Sequence, residues 1–276
     1  MNEKILVIIP AYNEEKNIAS TIEGVKKILP SGDILVINDA SEDKTYFIAK
    51  KEKVSVLDMP FNVGIGTAMQ TGYCYAKEFG YTIAVQFDAD GQHHAADILN
   101  MLKLINDTDS NKKPDMVIAS RFLLQEGFKS SFLRRIGIRY FSFLISVFTN
   151  RKITDPTSGF RMINRKLIEL FSEQYAEDYP EPESVVLAIK KDFCVIEMPT
   201  VMYPRKTGLS SITSFKTIYY MTKVTLGILT LNIKKERQQY GNNQDTRDNN
   251  QTLACRELTP GQAIINNQIS ITKDVL

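Results

Sequence analysis

The sequence predicts an α/β fold with a mainly parallel central sheet flanked by helices. Three observations carry this. Short apolar, β-favouring runs alternate with helix-like segments from the N-terminus to about Arg121, which is the layout of βαβ units. Polar residues gather directly after those runs: Asn13 and Glu14, then Asp39, Asn62, Asp88 with Asp90, and Arg121. In an open α/β sheet, the carboxyl ends of the strands form the edge where ligands sit. The run Tyr81–Phe87 is nearly continuous in apolar residues, as in a strand buried on both faces.

Taken in order, Ile5–Ile9 is an apolar run stopped by Pro10, and AYNEEKNIAS opens a helix to about Leu29. Asp33–Ile37 predicts a second strand ending in NDASEDKT, and Val54–Met59 a third. NVGIGTAMQTGYCYAKEFG starts as a glycine-bearing loop and becomes a helix through Phe79. The Tyr81–Phe87 strand is followed by a helix from about Ala95 to Ile105, then by the strand DMVIAS ending at Arg121. Beyond it, Phe132–Thr149 is an apolar helix with arginines in its first half. DPTSGFRMINRKLIEL is a turn and a short helix, YPEPESVVLAIKK a proline-opened helix, and VIEMPTVMYPRKTGLSS an extended run into a basic loop. Ser214–Ile233 is apolar, with Lys216 and Lys223 on one helical face. After Lys235 the composition turns to Asn, Gln, Asp and Arg and predicts a polar, disordered tail. The expected organisation is thus a nucleotide-binding α/β domain over 1–211, an amphipathic helix over 212–235 and the tail over 236–276.

A hydrophobic content of 43% suits a substantial core, and a net charge of +2 gives no reason to expect nucleic acid as a partner. Cys74, Cys194 and Cys255 are far apart and lack metal-ligand spacing. The N-terminus enters a strand at once, without signal-peptide layout, and no run of 18 uncharged apolar residues appears.

The stretch VQFDADGQHH concentrates the chemistry. Two carboxylates with one small residue between them, on a turn at a strand end, can aim at one hard cation that keeps room for phosphate oxygens. The alternative is that Asp88 and Asp90 cap the helix near Ala95. Glu14 can likewise serve a helix's first turn, and Asp39 an Asx turn or cap. Gly64 and Gly66 permit close approach of a ligand to the backbone, or are turn glycines. His93 and His94 are expected to be solvated loop residues.

In order, the pieces IIPAYNEEKNI, VINDASEDKT, NVGIGTAMQTG, QFDADGQHH, Ser120-Arg121, DPTSGFRMINRK and IEMPTVMYPRKTGLSS resemble the family 2 glycosyltransferases with the GT-A (Rossmann-like) fold. More narrowly they resemble the polyprenyl-phosphate sugar transferases related to dolichyl-phosphate mannose synthase, and the bacterial enzymes that load undecaprenyl phosphate. The resemblance implies that Pro10, Tyr12, Glu14, Asp39, Asn62, Gly66 and Asp88 hold the nucleotide sugar, a UDP- or GDP-sugar. It implies Asp88, Asp90 and Gln92 as the site of Mg2+ or Mn2+, whose all-oxygen ligands suit hard ions. Arg121, Arg134 and Arg135 would hold the acceptor phosphate, Arg being a planar fork for phosphate oxygens. Which of Arg134 and Arg135 faces the site stays open, since adjacent helical residues point apart. Asp90, Asp155 and Arg205 would carry catalysis, Arg205 with Lys206 and Gly208 lying in the basic loop, where Ser210-Ser211 replaces a common Ser-Lys.

The implied activity is metal-dependent, inverting transfer of a sugar to a polyprenyl phosphate at the cytoplasmic face of the membrane. The protein would attach peripherally to the membrane surface, with room for a small membrane-protein partner. The alternative is a hydroxyl acceptor on a growing cell-surface polysaccharide, for which Glu183 or Asp155 would be the base. A nucleotidyltransferase would need a lysine-bearing glycine-rich loop after the first strand, which the sequence lacks. A non-catalytic scaffold gives no reason for acidic pair, arginines and glycines to occur together.

Overall fold

The structure is a computed structural model that describes residues 3–107, 113–123, 132–203, 219 and 221–230, with backbone only at 132–134. Seven strands form one sheet in the order β3-β2-β1-β4-β6-β5-β7. They are β1 (Ile5–Ala11), β2 (Asp33–Asn38), β3 (Ser55–Asp58), β4 (Ile83–Gln86), β5 (Met116–Ser120), β6 (Arg161–Asn164) and β7 (Val195–Pro199). Strands β3, β2, β1 and β4 are parallel, as are β5 and β7, whereas β6 runs antiparallel to both its neighbours. From β1 the chain passes to β2 on one side and pairs with β4 on the other. The crevice beyond their carboxyl ends is therefore a topological switch point.

Strand β6 is the main departure from the sequence reading, which carried FRMINRKLIEL straight into a helix. Four residues are too few to show a period. Here Met162 and Ile163 point to opposite faces, and helix α6 (Arg165–Glu173) begins only at the next residue, where the Asn164 side chain accepts from Leu167 N.

Alternation along the strands builds two apolar layers. Leu6, Ile8, Leu35, Ile37, Ala84 and Ile163 face α3 (Gly64–Glu78), α6 and α7 (Pro180–Lys190). Val7, Ile9, Val36, Val85 and Met162 face α1 (Ile18–Ile28) and α4 (Asp97–Ile105). Helix α2 (Thr45–Lys51) lies between β2 and β3. Helix α3 takes in both glycines of the expected loop, and the carbonyls of Ala176 and Glu177 lie 2.1 and 2.0 Å from where a Cβ on Gly66 would stand. The close approach at Gly66 thus comes from the protein's own chain.

Helix α5 (Phe132–Thr149) and the helix over 221–230 (α8) cover one end of the first layer. Val224 and Ile228 are fully buried in that layer, and the Tyr140 hydroxyl meets Thr225 Oγ1 at 3.1 Å. Lys223 pairs with Asp178. Lys216 and the tail lie outside the described residues.

Candidate active site

The loop after β4 carries the acidic pair. Gly91 adopts φ +70°, and Gln92 N donates to Asp90 Oδ1 at 3.0 Å, so the chain turns back immediately. From α1, Thr21 Oγ1 donates to Ala89 O at 3.1 Å, fixing the residue between the two carboxylates. Helix α4 begins at Asp97, with Ala96 at its N-cap and no side-chain cap. Asp88 and Asp90 therefore do not cap it, and the capping alternative falls away.

Asp88 is held on two sides. His93 Nε2 lies 3.3 Å from its Oδ2, and Gly159 closes the other side, where an added Cβ would stand 2.6 Å from Oδ2 and 2.7 Å from Oδ1. The expectation that His93 is solvated is overturned: its side chain is 3% exposed, tucked against Phe87 and Phe160. His94, by contrast, is exposed. The Asp88 side chain remains about one-third open to solvent, at 31%.

Gln92 is buried and doubly tied to the strand-like segment before the basic loop: Tyr203 N donates to Gln92 O at 3.0 Å, and Gln92 Nε2 donates to Tyr203 O at 3.1 Å. Tyr203 is two residues before Arg205. Arg205, Lys206, Gly208 and the side chain of Arg134 lie outside what the structure describes, and Arg135 is half-buried on α5.

On the far side of the same edge, Arg121 and Asp155 form a two-pronged ion pair, Nε to Oδ2 and Nη2 to Oδ1 both at 2.6 Å. Asp155 also accepts from Arg121 N at 3.1 Å and from Thr157 Oγ1 at 3.2 Å, and it is fully buried. Beneath it, Glu197 of β7 accepts from Asp155 N at 2.7 Å and from Thr154 N at 2.8 Å. Burial pushes the Glu197 carboxyl upward, and the hydrogen bonds from Thr154 and Asp155 oppose that shift. Arg161, wholly buried, donates to Ser158 O, to Glu181 O and, at 2.8 Å, to Ser184 Oγ. It thereby fastens the 155–160 turn to the start of α7. Gly159, Arg161 and Glu197 escaped the sequence reading. A charged residue inside an apolar strand, as in FRMI and VIEMP, was the signal available for the latter two.

The two glutamates of the α7 opening part company. The Glu183 carboxylate packs on Gly227 of α8, and burial pushes it up to about 7. Glu181 is raised by burial, lowered by Arg161, and raised again by the nearby Asp88 charge. Of the pair, Glu181 is the one that senses the acidic centre.

The opposite side of the crevice is built from backbone contacts. Asp39 accepts from Val63 N at 2.7 Å and Gly64 N at 3.0 Å, so its carboxylate covers the start of α3. The loop after β1 is stapled to the loop after β2: Glu14 N donates to Thr45 Oγ1 at 2.8 Å, and Asn13 Oδ1 accepts from Glu42 N at 2.9 Å. Glu14 itself accepts from Asn17 Nδ2 at 2.8 Å. Pro10 is buried at the end of β1, while Tyr12 and Asn62 are exposed at the mouth.

Among the described residues no group of three or more His, Cys, Asp and Glu could enclose a metal by itself. Asp88, about one-third open to solvent, and the buried Asp90 two residues on nevertheless fit Mg2+ or Mn2+, which take one or two carboxylates and complete their shell with substrate phosphates and water.

The model of glycosyl transferase family 2 matches residues 6–171. A UDP-N-acetylglucosamine–dolichyl-phosphate N-acetylglucosaminyltransferase from Methanococcus voltae is 30% identical, over 81% of this chain and 96% of that protein. A polyprenol monophosphomannose synthase from Mycolicibacterium smegmatis is 27% identical, over 80% of this chain and 86% of its own. Among solved structures, glucosyl-3-phosphoglycerate synthase from Mycobacterium tuberculosis with UDP superposes at a TM-score of 0.64 and 17% identity, covering 83% of this chain and 80% of that one. The same enzyme was solved with Mn2+, UDP and phosphoglyceric acid. With the acidic pair at the switch point of a GT-A sheet and the match spanning most of that sheet, the chain belongs to glycosyl transferase family 2.

Proposed function

We propose that this glycosyltransferase moves a sugar from a nucleotide sugar to a polyprenyl phosphate, inverting the anomeric centre, while attached peripherally to the cytoplasmic face of a membrane. The observation that carries the reading is one continuous chain of contacts along the sheet edge. Asp88 lies against Gly159, and the Gly159 turn holds Asp155, which in turn grips Arg121.

In this reading Tyr12 and Asn62 face the nucleoside, and Asp88, Asp90 and Gln92 would hold a divalent cation at the diphosphate. A bound Mg2+ or Mn2+ supplies charge neutralisation of the leaving nucleoside diphosphate. Arg121, held in place by Asp155, would meet the acceptor phosphate, and Arg205 the donor. Asp155 then orients rather than abstracts, because both its oxygens are engaged by Arg121. A phosphate acceptor needs no base, being largely anionic at pH 7 with a second pKa of about 6. The names of the Methanococcus and Mycolicibacterium relatives support that acceptor class.

A hydroxyl acceptor would need a base, and Asp155, one of the two candidates for it, has both oxygens already engaged by Arg121. Incubation with labelled UDP- and GDP-sugars, Mg2+ or Mn2+ and a short polyprenyl phosphate separates the two. The expected product is a charged glycolipid of inverted configuration. Turnover that ignores the lipid sinks the proposal.

Membrane attachment is supported by outward apolar side chains on α5, Phe143 67% and Val147 61% exposed, with Leu226 of α8 also exposed at 56%. Among the described residues no helix is long and apolar enough to cross a membrane. Wild type should sediment with anionic vesicles, and a Phe143→Glu, Leu226→Glu variant should stay in the supernatant. Equal sedimentation of the two would remove this surface from the account.

A further inference from the structure

His93 occupies a pocket made for a hydrocarbon ring. Its centroid lies 5.1 Å from Phe160 and 6.0 Å from Phe87, and its side chain is almost wholly buried. Nδ1 is buried with no hydrogen-bond partner among the described residues, whereas Nε2 lies 3.3 Å from Asp88 Oδ2. A neutral imidazole carries one N–H. With nothing to accept a proton from Nδ1 and a carboxylate beside Nε2, that N–H belongs on Nε2 and donates to Asp88. A phenyl ring would fill the same space without an unpartnered nitrogen. What the imidazole adds is the donor.

The other side of the carboxylate is closed by Gly159, where any Cβ would collide with both oxygens. Asp88 is therefore gripped between a fixed N–H and a bare α-carbon, while Asp90 is steadied by the Gln92 amide in its own loop.

We propose that His93 is a positioning residue that presets the Asp88 carboxylate for the cation and diphosphate, through Asp88 and without contacting either. This deepens the proposed function and rests on its cation site. Groups that orient a ligating carboxylate typically contribute about 10- to 100-fold to metal affinity when removed.

The test measures Mn2+ binding by electron paramagnetic resonance on the full chain, with and without UDP or GDP, beside thermal unfolding. Wild type should bind Mn2+ and Asp88→Ala should lose it, a result that concerns the cation site alone. His93→Phe keeps the ring packing and removes the donor. It should weaken Mn2+ by about tenfold or more with an unchanged melting temperature. His93→Gln, which returns an N–H near the Nε2 position, should recover part of the affinity even if His93→Phe folds poorly. Gly159→Ala should weaken Mn2+ from the opposite side. If His93→Phe, or His93→Gln in its place, binds Mn2+ like wild type while Asp88→Ala does not, the positioning role is wrong and the cation site stands. If wild type itself fails to bind Mn2+, both fall.

Discussion

Asp39 and Asp155 are both buried carboxylates at the same sheet edge, and their surroundings differ in kind. Asp39, just after β2, is satisfied by two neutral backbone N–H groups at the start of α3. Asp155, in the turn before β6, is satisfied by a guanidinium. The first half of the crevice is stitched together by loop-to-backbone bonds that tolerate loss one at a time. The second half is a set of side chains that depend on each other's charge. The difference teaches where the fold concentrates its sensitivity: around Asp88, Asp155 and Arg121, away from Asp39 and Glu14.

That contrast can be broken by mutation. The largest effect should come from Asp88→Ala, which is expected to lower the transfer rate by about a thousandfold or more through lost charge stabilisation, with circular dichroism unchanged. Retained turnover would remove the acidic pair from the chemistry. Next, Asp155→Ala should lower unfolding free energy by about 3–5 kcal/mol, since it strands a buried guanidinium. Asp39→Ala should lose only about 1 kcal/mol, the scale of a helix cap. Urea titration of these two variants side by side decides whether the two halves really differ; equal losses would mean they do not.

The contrast is sharpened from outside the crevice by a pH dependence from Glu183, whose carboxyl is raised to about 7 by burial. A folded pKa above the unfolded value means the native state holds the proton more tightly. That stabilisation is complete below the unfolded carboxylate pKa of about 4.3 and fades as pH rises through about 7. Glu183→Gln should therefore flatten the fall in urea midpoint between pH 5 and pH 8. A slope identical to wild type would show that the carboxyl is not held at the α7–α8 seam.

The parallel half was legible in the sequence because each strand is a run of buried aliphatic residues followed by a polar stop. Those stops lie at one edge by geometry alone, so Asp88 and Asp90 could be singled out. The antiparallel insertion was not, because β6 has four residues and opens on an arginine. His93 and His94 read as a matched pair, and the rings of Phe87 and Phe160, the second brought in ahead of that same hidden strand, separate a buried imidazole from an exposed one. Glu181 and Glu183, two residues apart on the first turn of a helix, likewise needed α8 and Asp88 in place before their neighbours could be told apart.

The reversed direction of β6 has a practical consequence. In every parallel strand the residues that leave the sheet reach the rim that carries Asp88, but in β6 it is the residues that enter, Asp155 to Phe160, that do so. The exit of β6, where Asn164 passes directly into α6, lies on the remote edge. Changing the Asp155–Phe160 segment should therefore act on that rim and on stability together, since Asp155 holds Arg121 and Phe160 is wholly buried.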